Sequence, residues 1–368
     1  MLKSQDTMRV TLIVHSRLAM FEWGRTIIDI FTAYAIKNKY VLTTVCDADE
    51  ISVSNSPVVI LGVDSEWLNS ALEKLSSGGN KIILIYGIAH ENYEHVSHIT
   101  ADQRAVVQKS LKLLREQGRT RPAFFGVQKN DSSDKAKALL FSEHFPSEDV
   151  YPIESTVEEC YERLQKNLER YDSIICSNDV MAIYLLARFR TLGIDIPERL
   201  HLIGNGNLWL SAHVTPPITT VAYNYEVAAK LALQMCENFS EFEDLGSVNV
   251  SISNQLIQRG STGKESMTQD SNRQATHKRG AYISYESEEM CRELSEIVLL
   301  DRALSTCSED QVSLLRSWIY GDSVESIAEK MFISVDTVKY HLKVLYKMLG
   351  IHSKAELNEL VDKYGLTL

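Results

Sequence analysis

The chain of 368 residues is too long for one ordinary domain and fits two or three. Its net charge of −11 excludes polyanion binding by the molecule as a whole, so any contact with nucleic acid must come from a local patch. Its 6 cysteines are widely scattered, without a CxxC pair or a Cys/His cluster, which argues against a zinc site or a disulfide framework.

The first predicted element is a short strand at Val10–Val14. Its apolar run of about five residues is too short for the core of a signal peptide. No stretch of the sequence approaches the roughly 20 apolar residues of a membrane span. We therefore expect a cytoplasmic protein that does not contact a membrane.

Short apolar runs alternate with amphipathic helical patterns from residue 9 to residue 257. Nearly continuous apolar runs such as Ile82–Tyr86 indicate strands that are buried on both faces, as in a parallel sheet. The alternation predicts an α/β fold with two lobes, each a doubly wound parallel sheet, and a cleft at the carboxyl ends of the strands. The predicted strands are Val10–Val14, Tyr40–Val45, Val58–Leu61, Lys81–Tyr86, Ala123–Gly126, Ser173–Cys176 and Leu200–Ile203. The predicted helices are Arg25–Lys37, Glu66–Leu75, Ala101–Glu116, Val157–Glu169, Asp179–Leu192 and Val227–Asn238.

The composition changes near Gly260. Residues 260–280 are polar and almost without large apolar side chains, which predicts an exposed linker. A helical pattern with one apolar face returns at Ser287–Leu304. That face either packs on its own domain or pairs with the same helix of a second subunit. The predicted regions are a two-lobed domain at 1–263, a linker with a helix at 264–305, and a small all-α domain at 306–368.

Three short helical patterns occupy residues 308–349, and each is preceded by a serine that can cap it. In the third pattern, apolar residues line one face while Lys339, Lys343 and Lys347 line another. This arrangement is typical of a helix-turn-helix, whose recognition helix lies in the major groove with its lysines near guanine edges or phosphates. Spaced lysines also occur on ordinary solvated helices, and residues 308–368 hold 7 Lys and Arg against 9 Asp and Glu. The lysines alone therefore leave both explanations open.

This segment resembles the LuxR-type (NarL/FixJ-type) helix-turn-helix. The matching residues are G-D-S at 321–323, I-A at 327–328, F-I-S at 332–334, T-V-K-Y-H-L at 337–342, L-G-I at 349–351 and S-K-A-E at 353–356. The resemblance implies that bases are contacted by Lys339, Tyr340 and Lys343. It implies that the DNA backbone is contacted by Ser334, Thr337 and Lys347. It also implies a dimerising helix at Lys354–Lys363. The chain departs from the family's usual residues at Cys307–Ser308 and at Met348.

Most of residues 9–263 resembles the effector domain of LacI/GalR-type regulators. The best match is PPITTVAYNYEVAAKLALQM at 216–235, followed by LIQRGSTG at 256–263, and the stretches 99–126 and 173–207 also resemble the family. The resemblance implies a type I periplasmic-binding-protein fold, in which the cleft binds a small effector, commonly a sugar or a nucleobase. The positions that it assigns to the effector are Phe21, Trp23, Asp102, the loop after Gly126, Asn178, Asp179, Asn205 and Asn207.

Several of these assignments have alternatives. Asp179 can accept hydrogen bonds from the hydroxyl groups of an effector, or it can cap its own helix. Tyr86 and Trp209 can stack on a ring or belong to the core. The aspartate of the family's Ile-Gly-Phe-Asp turn is Gly206 here, so a non-sugar effector, or none, stays open.

The two resemblances together predict a cytoplasmic transcription regulator. Its expected partners are double-stranded DNA, a small-molecule effector with a carbohydrate as one candidate, and a second copy of the chain in a homodimer. We expect no enzyme and no cofactor, because the sequence has no Gly-rich phosphate loop, no GxSxG motif and no metal-ligand cluster. The alternatives are a regulator that uses its first domain only for dimerisation or protein contacts and, less favoured, a solute-binding protein.

Overall fold

The structure is a computed structural model, and it describes residues 8–15, 22–51, 57–62, 65–86, 95–241, 246–263 and 292–368. Phe21 and the predicted linker at 264–291 lie outside the described residues, and only the backbone of Trp23 is described. The strands are β1 (Arg9–Val14), β2 (Val41–Val45), β3 (Val58–Leu61), β4 (Ile82–Ile85), β5 (Val96–Ala101), β6 (Pro122–Val127), β7 (Val150–Pro152), β8 (Ser173–Cys176), β9 (His201–Asn205), β10 (Thr219–Ala222), β11 (Asn249–Ile252) and β12 (Gln255–Ile257).

Helices flank the strands and then form the carboxyl-terminal part of the chain. In the two-lobed part they are α1 (Glu22–Asn38), α2 (Ser65–Ser77), α3 (Gln103–Glu116), α4 (Ser132–Ser142), α5 (Val157–Lys166), α6 (Asp179–Thr191) and α7 (Tyr225–Glu241). In the carboxyl-terminal part they are α8 (Arg292–Thr306), α9 (Glu309–Ile319), α10 (Val324–Met331), α11 (Val335–Leu349) and α12 (Lys354–Tyr364).

Each lobe is built on one six-stranded sheet. Lobe 1 has the strand order β11-β5-β4-β3-β1-β2, and all its pairs are parallel. Lobe 2 has the order β12-β10-β9-β8-β6-β7, in which β12 alone runs antiparallel to its neighbour β10. Every residue of β3, β4 and β8 is buried, as expected for parallel strands whose two faces are both covered.

The chain crosses between the lobes at three places, Ala101–Asp102, Ala222–Tyr225 and Ile252–Gln255. The first and third crossings are joined by a hydrogen bond from the backbone N–H of Asp102 to the carbonyl of Ile252 (3.2 Å). Because β5, β10 and β11 all end at these crossings, the carboxyl edges of both sheets face the space between the lobes. In open α/β sheets this edge is where ligands bind.

The carboxyl-terminal helices share a hydrophobic core with lobe 2. Leu294, Ile297 and Leu304 of α8 are buried in one cluster with residues of α6 and α11. Helix α12 contacts α6, and its Tyr364 is buried in the same cluster. Val214 of lobe 2 forms a β-bridge with Leu366. The apolar face predicted at Ser287–Leu304 is therefore packed within its own chain where the structure describes it.

The predicted fold class is confirmed, but several elements were missed. The sequence reasoning overlooked strands β5, β7, β10, β11 and β12, because polar residues interrupt their apolar positions. It overlooked helix α4 because the apolar residues of that helix do not form one marked face. The helix predicted from Ala101 begins instead at Gln103, because Ala101 ends β5 and the side chain of Asp102 caps α3. None of the helices in the described part of the chain is long and apolar enough to cross a membrane.

Candidate functional sites

The three serines predicted to cap helices of the carboxyl-terminal domain do cap α9, α10 and α11. Ser308 accepts the N–H of Gln311, whose side chain accepts the N–H of Ser308 in return, which completes a capping box. Ser323 caps α10 in the simpler way. Ser334 caps α11 through the N–H of Thr337 at 3.1 Å, and its hydroxyl also lies 2.8 Å from the Thr337 hydroxyl. The cap at Ser334 fixes where α11 begins.

The lysine face of α11, defined as Lys339, Tyr340, Lys343 and Lys347, is exposed to solvent. The opposite side of the helix is buried through Val338, Leu342, Leu345 and Leu349. Within the described part of the chain, no carboxylate lies at ion-pairing distance from the three amines. Tyr340 is 64% exposed beside them, so the face is accessible as it stands.

The turn before α11 holds an unusual residue. Phe332 has φ of 55°, in the left-handed region that favours glycine, and its side chain is 95% exposed. A large apolar side chain normally avoids both conditions. Ile333 follows it, partly buried, and then Ser334, so Phe332 lies two residues before the cap of α11 and seven before Lys339.

Three tyrosines meet where the chain crosses between the lobes. Tyr86, at the end of β4 in lobe 1, has its ring centroid 6.2 Å from that of Tyr223 and 5.5 Å from that of Tyr225. The Tyr86 hydroxyl donates to the carbonyl of Asn224 at 3.2 Å, which joins lobe 1 to the second crossing. Burial raises the pKa of Tyr86 and of Tyr223, so both rings are neutral at physiological pH. We call these three residues the tyrosine cluster.

A buried ion pair lies in lobe 2 beside the tyrosine cluster. Lys137 Nζ is 3.0 Å from Asp134 Oδ1, and both side chains are 4% exposed. The same amine donates to the carbonyl of Ser177 at 2.6 Å. Burial acts to lower the pKa of Lys137, but the carboxylate of Asp134 opposes it and the pKa is raised, which keeps the amine charged. Tyr223 interacts electrostatically with Lys137, so the pair lies close to the crossing.

Asp131 completes this group of charges. It caps α4 by accepting the N–H of Asp134 at 2.9 Å. Burial, and then the neighbouring Asp134, raise the pKa of Asp131. The pair and Asp131 were missed by the sequence reasoning because α4 was missed. The available signal was the loop after Gly126, which leads directly to them.

Two residues assigned to the effector, Asp102 at the first crossing and Asn178 after β8, form hydrogen bonds with backbone groups of the chain. Asp102 accepts the N–H of Ala105 at 2.8 Å and so caps α3. Asn178, and not Asp179, caps α6, because its Oδ1 accepts the N–H of Met181 at 3.0 Å. This corrects the alternative that placed the cap at Asp179.

Asp179 is fully buried, and both of its oxygens accept hydrogen bonds. The Thr220 hydroxyl donates to Oδ1 at 2.6 Å, and the N–H of Leu208 donates to Oδ2 at 2.7 Å. Burial raises the pKa of this carboxyl, and these two hydrogen bonds partly offset the rise. In this structure Asp179 therefore holds the turn after β9.

Asn205 and Asn207 flank Gly206 in that turn. The amide of Asn205 donates to the carbonyl of Cys176 at 2.8 Å, while its Oδ1 is buried without a hydrogen-bond partner among the described residues. Asn207 Oδ1 accepts from the guanidinium of Arg259 at 2.7 Å. Trp209 stacks on His213 with 3.5 Å between ring centroids, within the same segment of lobe 2.

Two family models match the chain. Residues 111–262 match the periplasmic binding protein-like domain, and residues 305–361 match the bacterial regulatory proteins of the luxR family. The chain thus joins a domain of the LacI-type periplasmic-binding-protein-like class to a carboxyl-terminal helix-turn-helix of the luxR type, and both resemblances read from the sequence are confirmed.

Known regulators resemble parts of the chain. The HTH-type transcriptional repressor CytR of Escherichia coli K12 is 33% identical over 91 residues, which is 24% of this chain and 26% of CytR. The chain thus spans about a quarter of the length of the curated relatives that it matches. The predicted boundaries at residues 263 and 306 stay predictions.

Solved structures share the fold of the two-lobed part. The complex of the transcriptional regulator CelR with cellobiose has a TM-score of 0.58 at 15% identity, covering 69% of this chain and 84% of CelR. A LacI family regulator of Enterococcus faecalis V583 with bound ribose has a TM-score of 0.56 at 20% identity, covering 69% of this chain and 98% of its own.

Proposed function

We propose that this protein is a DNA-binding transcription regulator in which the two-lobed domain binds a small molecule and controls the carboxyl-terminal helix-turn-helix. The observation that carries the proposal is the lysine face of α11, which is exposed although its domain is packed on lobe 2. An attached sensor and an uncovered DNA-contacting face together favour a regulator over a solute-binding protein.

The proposed DNA contacts follow from the geometry of α11. Lys339 and Tyr340 lie on the exposed side in the first half of the helix, where a recognition helix meets base edges, and Lys343 lies on the same side at its middle. Thr337 is half-buried at that start, Ser334 precedes it, and Lys347 extends the face toward the phosphates. Because the domain as a whole is slightly acidic, these few cations must supply the attraction to DNA.

A homodimer fits this mode of binding, since helix-turn-helix dimers place two recognition helices on two half-sites. The exposed side chains of α12 are Ala355, Asn358, Glu359 and Asp362, whereas Leu357 and Tyr364 are buried. The helix that the family uses for dimerisation therefore offers a polar surface while it is docked on α6. We propose that the protein acts in the cytoplasm, where its DNA is, and that it catalyses no reaction.

The proposed effector site is the space between the lobes at the tyrosine cluster. Tyrosine rings offer apolar faces for a ring, and the Lys137–Asp134 pair with the unpartnered Oδ1 of Asn205 offers polar contacts. The further effector contacts that the family resemblance assigns are Phe21, Trp23, Asp102, Asn178, Asp179 and Asn207. A polar molecule with a ring, such as a sugar, fits this chemistry, and two structural relatives are described with cellobiose or ribose.

The second candidate is a regulator without an effector. It is favoured by the internal hydrogen bonds of Asp102, Asn178 and Asp179, which leave these side chains little capacity for a ligand. A thermal-shift screen with sugars, nucleosides and amino acids separates the two candidates. A rise in Tm with one compound that is lost in Tyr223→Ala supports a cleft effector, and no rise with any of them supports the second candidate.

The DNA contact is tested by selecting a specific sequence from random DNA with the full chain and measuring its affinity. Lys339→Ala with Lys343→Ala should reduce specific affinity by at least about 30-fold, from roughly 1–3 kcal/mol for each base-contacting residue. Lys135→Ala with Lys166→Ala makes the same charge change on exposed lobe 2 helices and should leave the affinity nearly unchanged. Equal losses in the two double variants would refute the assignment of α11 as the DNA reader.

A further inference from the structure

The turn after β9, residues 206–213, is bonded to helix α8 through one buried carboxylate. Asp301 of α8 accepts the N–H of Leu210 through Oδ1 at 2.8 Å. Asp301 is 1% exposed, and its Oδ2 has no hydrogen-bond partner among the described residues. Burying a carboxylate for a single backbone contact is unfavourable, so packing stability alone does not account for an acid at this position.

The same turn is held from the other side by Asp179. That carboxylate, on α6 in lobe 2, accepts the N–H of Leu208, two residues before Leu210. Gly206 at the start of the turn has φ of 124°, which side chains rarely adopt. The turn therefore lies between two buried acids, one in the two-lobed domain and one on the helix that leads to the DNA-contacting domain.

Helix α8 is joined to both of its neighbours. On the lobe 2 side, Glu293 pairs with Arg188 of α6 at 3.0 Å. On the other side, Glu296 accepts the hydroxyl of Tyr364 at 2.6 Å and pairs with Lys363 at 2.7 Å, both from α12. Leu300 and Leu304 are buried in the core that α8 shares with α11. A shift of α8 therefore shifts the helix-turn-helix with it.

We propose that Asp301 is a positioning residue that transmits the state of the turn at 206–213 to α8 and so to the lysine face. The inference rests on the proposed function, because it assigns the route between the effector site and the DNA site. An effector next to Asn205 would act on this turn, and the Asp301–Leu210 bond makes the orientation of α8 depend on it. Coupling of this kind requires a bond whose strength differs between two states of the turn.

Amide hydrogen exchange of the full chain, followed by mass spectrometry, tests the route without effector or DNA. Asp179→Ala releases Leu208 and should speed exchange in 206–213 by roughly 3- to 10-fold, as expected for one lost hydrogen bond. In the wild-type background this change should also speed exchange in α8 and α11. In the Asp301→Leu background the effect on α8 and α11 should disappear, while the effect on 206–213 remains. Asp301→Asn keeps an acceptor for Leu210 and should restore the transmission.

Arg302→Gln, on the exposed side of the same helix, is the matched control and should leave transmission intact. If Asp301→Leu does not fold, as judged by far-UV circular dichroism, Asp301→Ala removes the same acceptor with less bulk. Equal effects of Asp179→Ala on α11 with and without Asp301 would overturn the proposal, and so would the absence of any effect in the wild-type background. Because the exchange experiment contains no DNA, its outcome is independent of whether the lysine variants lose DNA binding, and the two proposals can fail separately.

Discussion

The lysine face and the cleft differ in what their charged groups contact. On α11, Lys339, Lys343 and Lys347 are exposed, and no carboxylate of the described residues pairs with them. In the cleft, Lys137 already pairs with Asp134 and bonds to the carbonyl of Ser177. One site presents unpaired cations to solvent, whereas the other presents charges that the protein itself has neutralised.

This difference predicts how each site responds to its partner. DNA can bind the lysine face without displacing any protein group, so affinity there should follow phosphate electrostatics and fall steeply with salt. A ligand in the cleft meets an amine whose charge Asp134 already offsets, and Asp134 and the Ser177 carbonyl accept two of its three N–H donors. Its affinity should therefore depend less on net charge and more on the balance between old and new hydrogen bonds.

The largest expected effect comes from breaking the buried pair. Lys137→Met removes the cation beside Asp134 and Asp131 and should lower the free energy of unfolding by about 3–5 kcal/mol, because a buried charge then lacks its partner. Urea unfolding at pH 7 measures this loss. Lys330→Met breaks the exposed pair with Asp322 in the helix-turn-helix and should cost far less, because solvent screens that pair. Equal losses would show that the contrast between the two regions is wrong.

Asp301 gives the next largest effect, and the size of this effect depends on pH. Burial raises the pKa of Asp301 from 3.8 to about 7. The hydrogen bond from the Leu210 N–H acts to lower this pKa, and the nearby Asp179 acts to raise it further. The folded state then holds this proton more tightly than the unfolded state, so Asp301 lowers stability increasingly as pH rises from 3.8 to about 7. Asp301→Asn cannot ionise and should be more stable than the wild type by up to about 4 kcal/mol above pH 7.

Urea unfolding of wild type and Asp301→Asn from pH 4 to pH 8 checks this prediction. The two proteins should be similar in stability near pH 4 and should separate as pH rises. Arg302→Gln, one residue further along α8, should show no such separation. A constant difference across the pH range would mean that Asp301 is not the titrating group.

The sequence predicted the two regions unequally for a physical reason. Caps such as Ser308 and Ser334, and the 3.6-residue spacing of the apolar face of α11, act within one or two helical turns, so a single stretch of sequence contains the whole pattern. The cleft brings Tyr86, Lys137 and Tyr223 together from distant segments, and nothing in any one segment marks them. A single stretch of sequence shows that a residue lies in a loop or turn of the cleft, but it does not show which residues of other segments its side chain contacts.

Loss of the cap of α11 should have a smaller effect on stability and a distinct effect on DNA. Ser334→Ala removes the acceptor for the N–H of Thr337 and should cost about 1 kcal/mol in the free energy of unfolding. Ser353→Ala removes the equivalent cap of α12, where Ser353 accepts the N–H of Glu356 at 3.2 Å. The two variants should lose similar stability, but only Ser334→Ala should weaken specific DNA binding. Equal DNA affinities in the two variants would show that Ser334 is not part of the DNA interface.

The smallest expected effect concerns Phe332, where the local geometry conflicts with the residue. Replacing it with glycine relieves the left-handed backbone strain of roughly 1–2 kcal/mol, and the exposed ring contributes little burial that could be lost. The greater chain entropy of unfolded glycine offsets part of this gain, so Phe332→Gly should stabilise the protein by about 0.5–1 kcal/mol in urea unfolding. Gly350→Ala, at φ of 69° after α11, is the reverse control and should destabilise. If Phe332→Gly stabilises the fold but weakens DNA binding, the exposed ring belongs to the DNA-contacting surface; if DNA affinity is unchanged, that surface is confined to the lysine face and its serine cap.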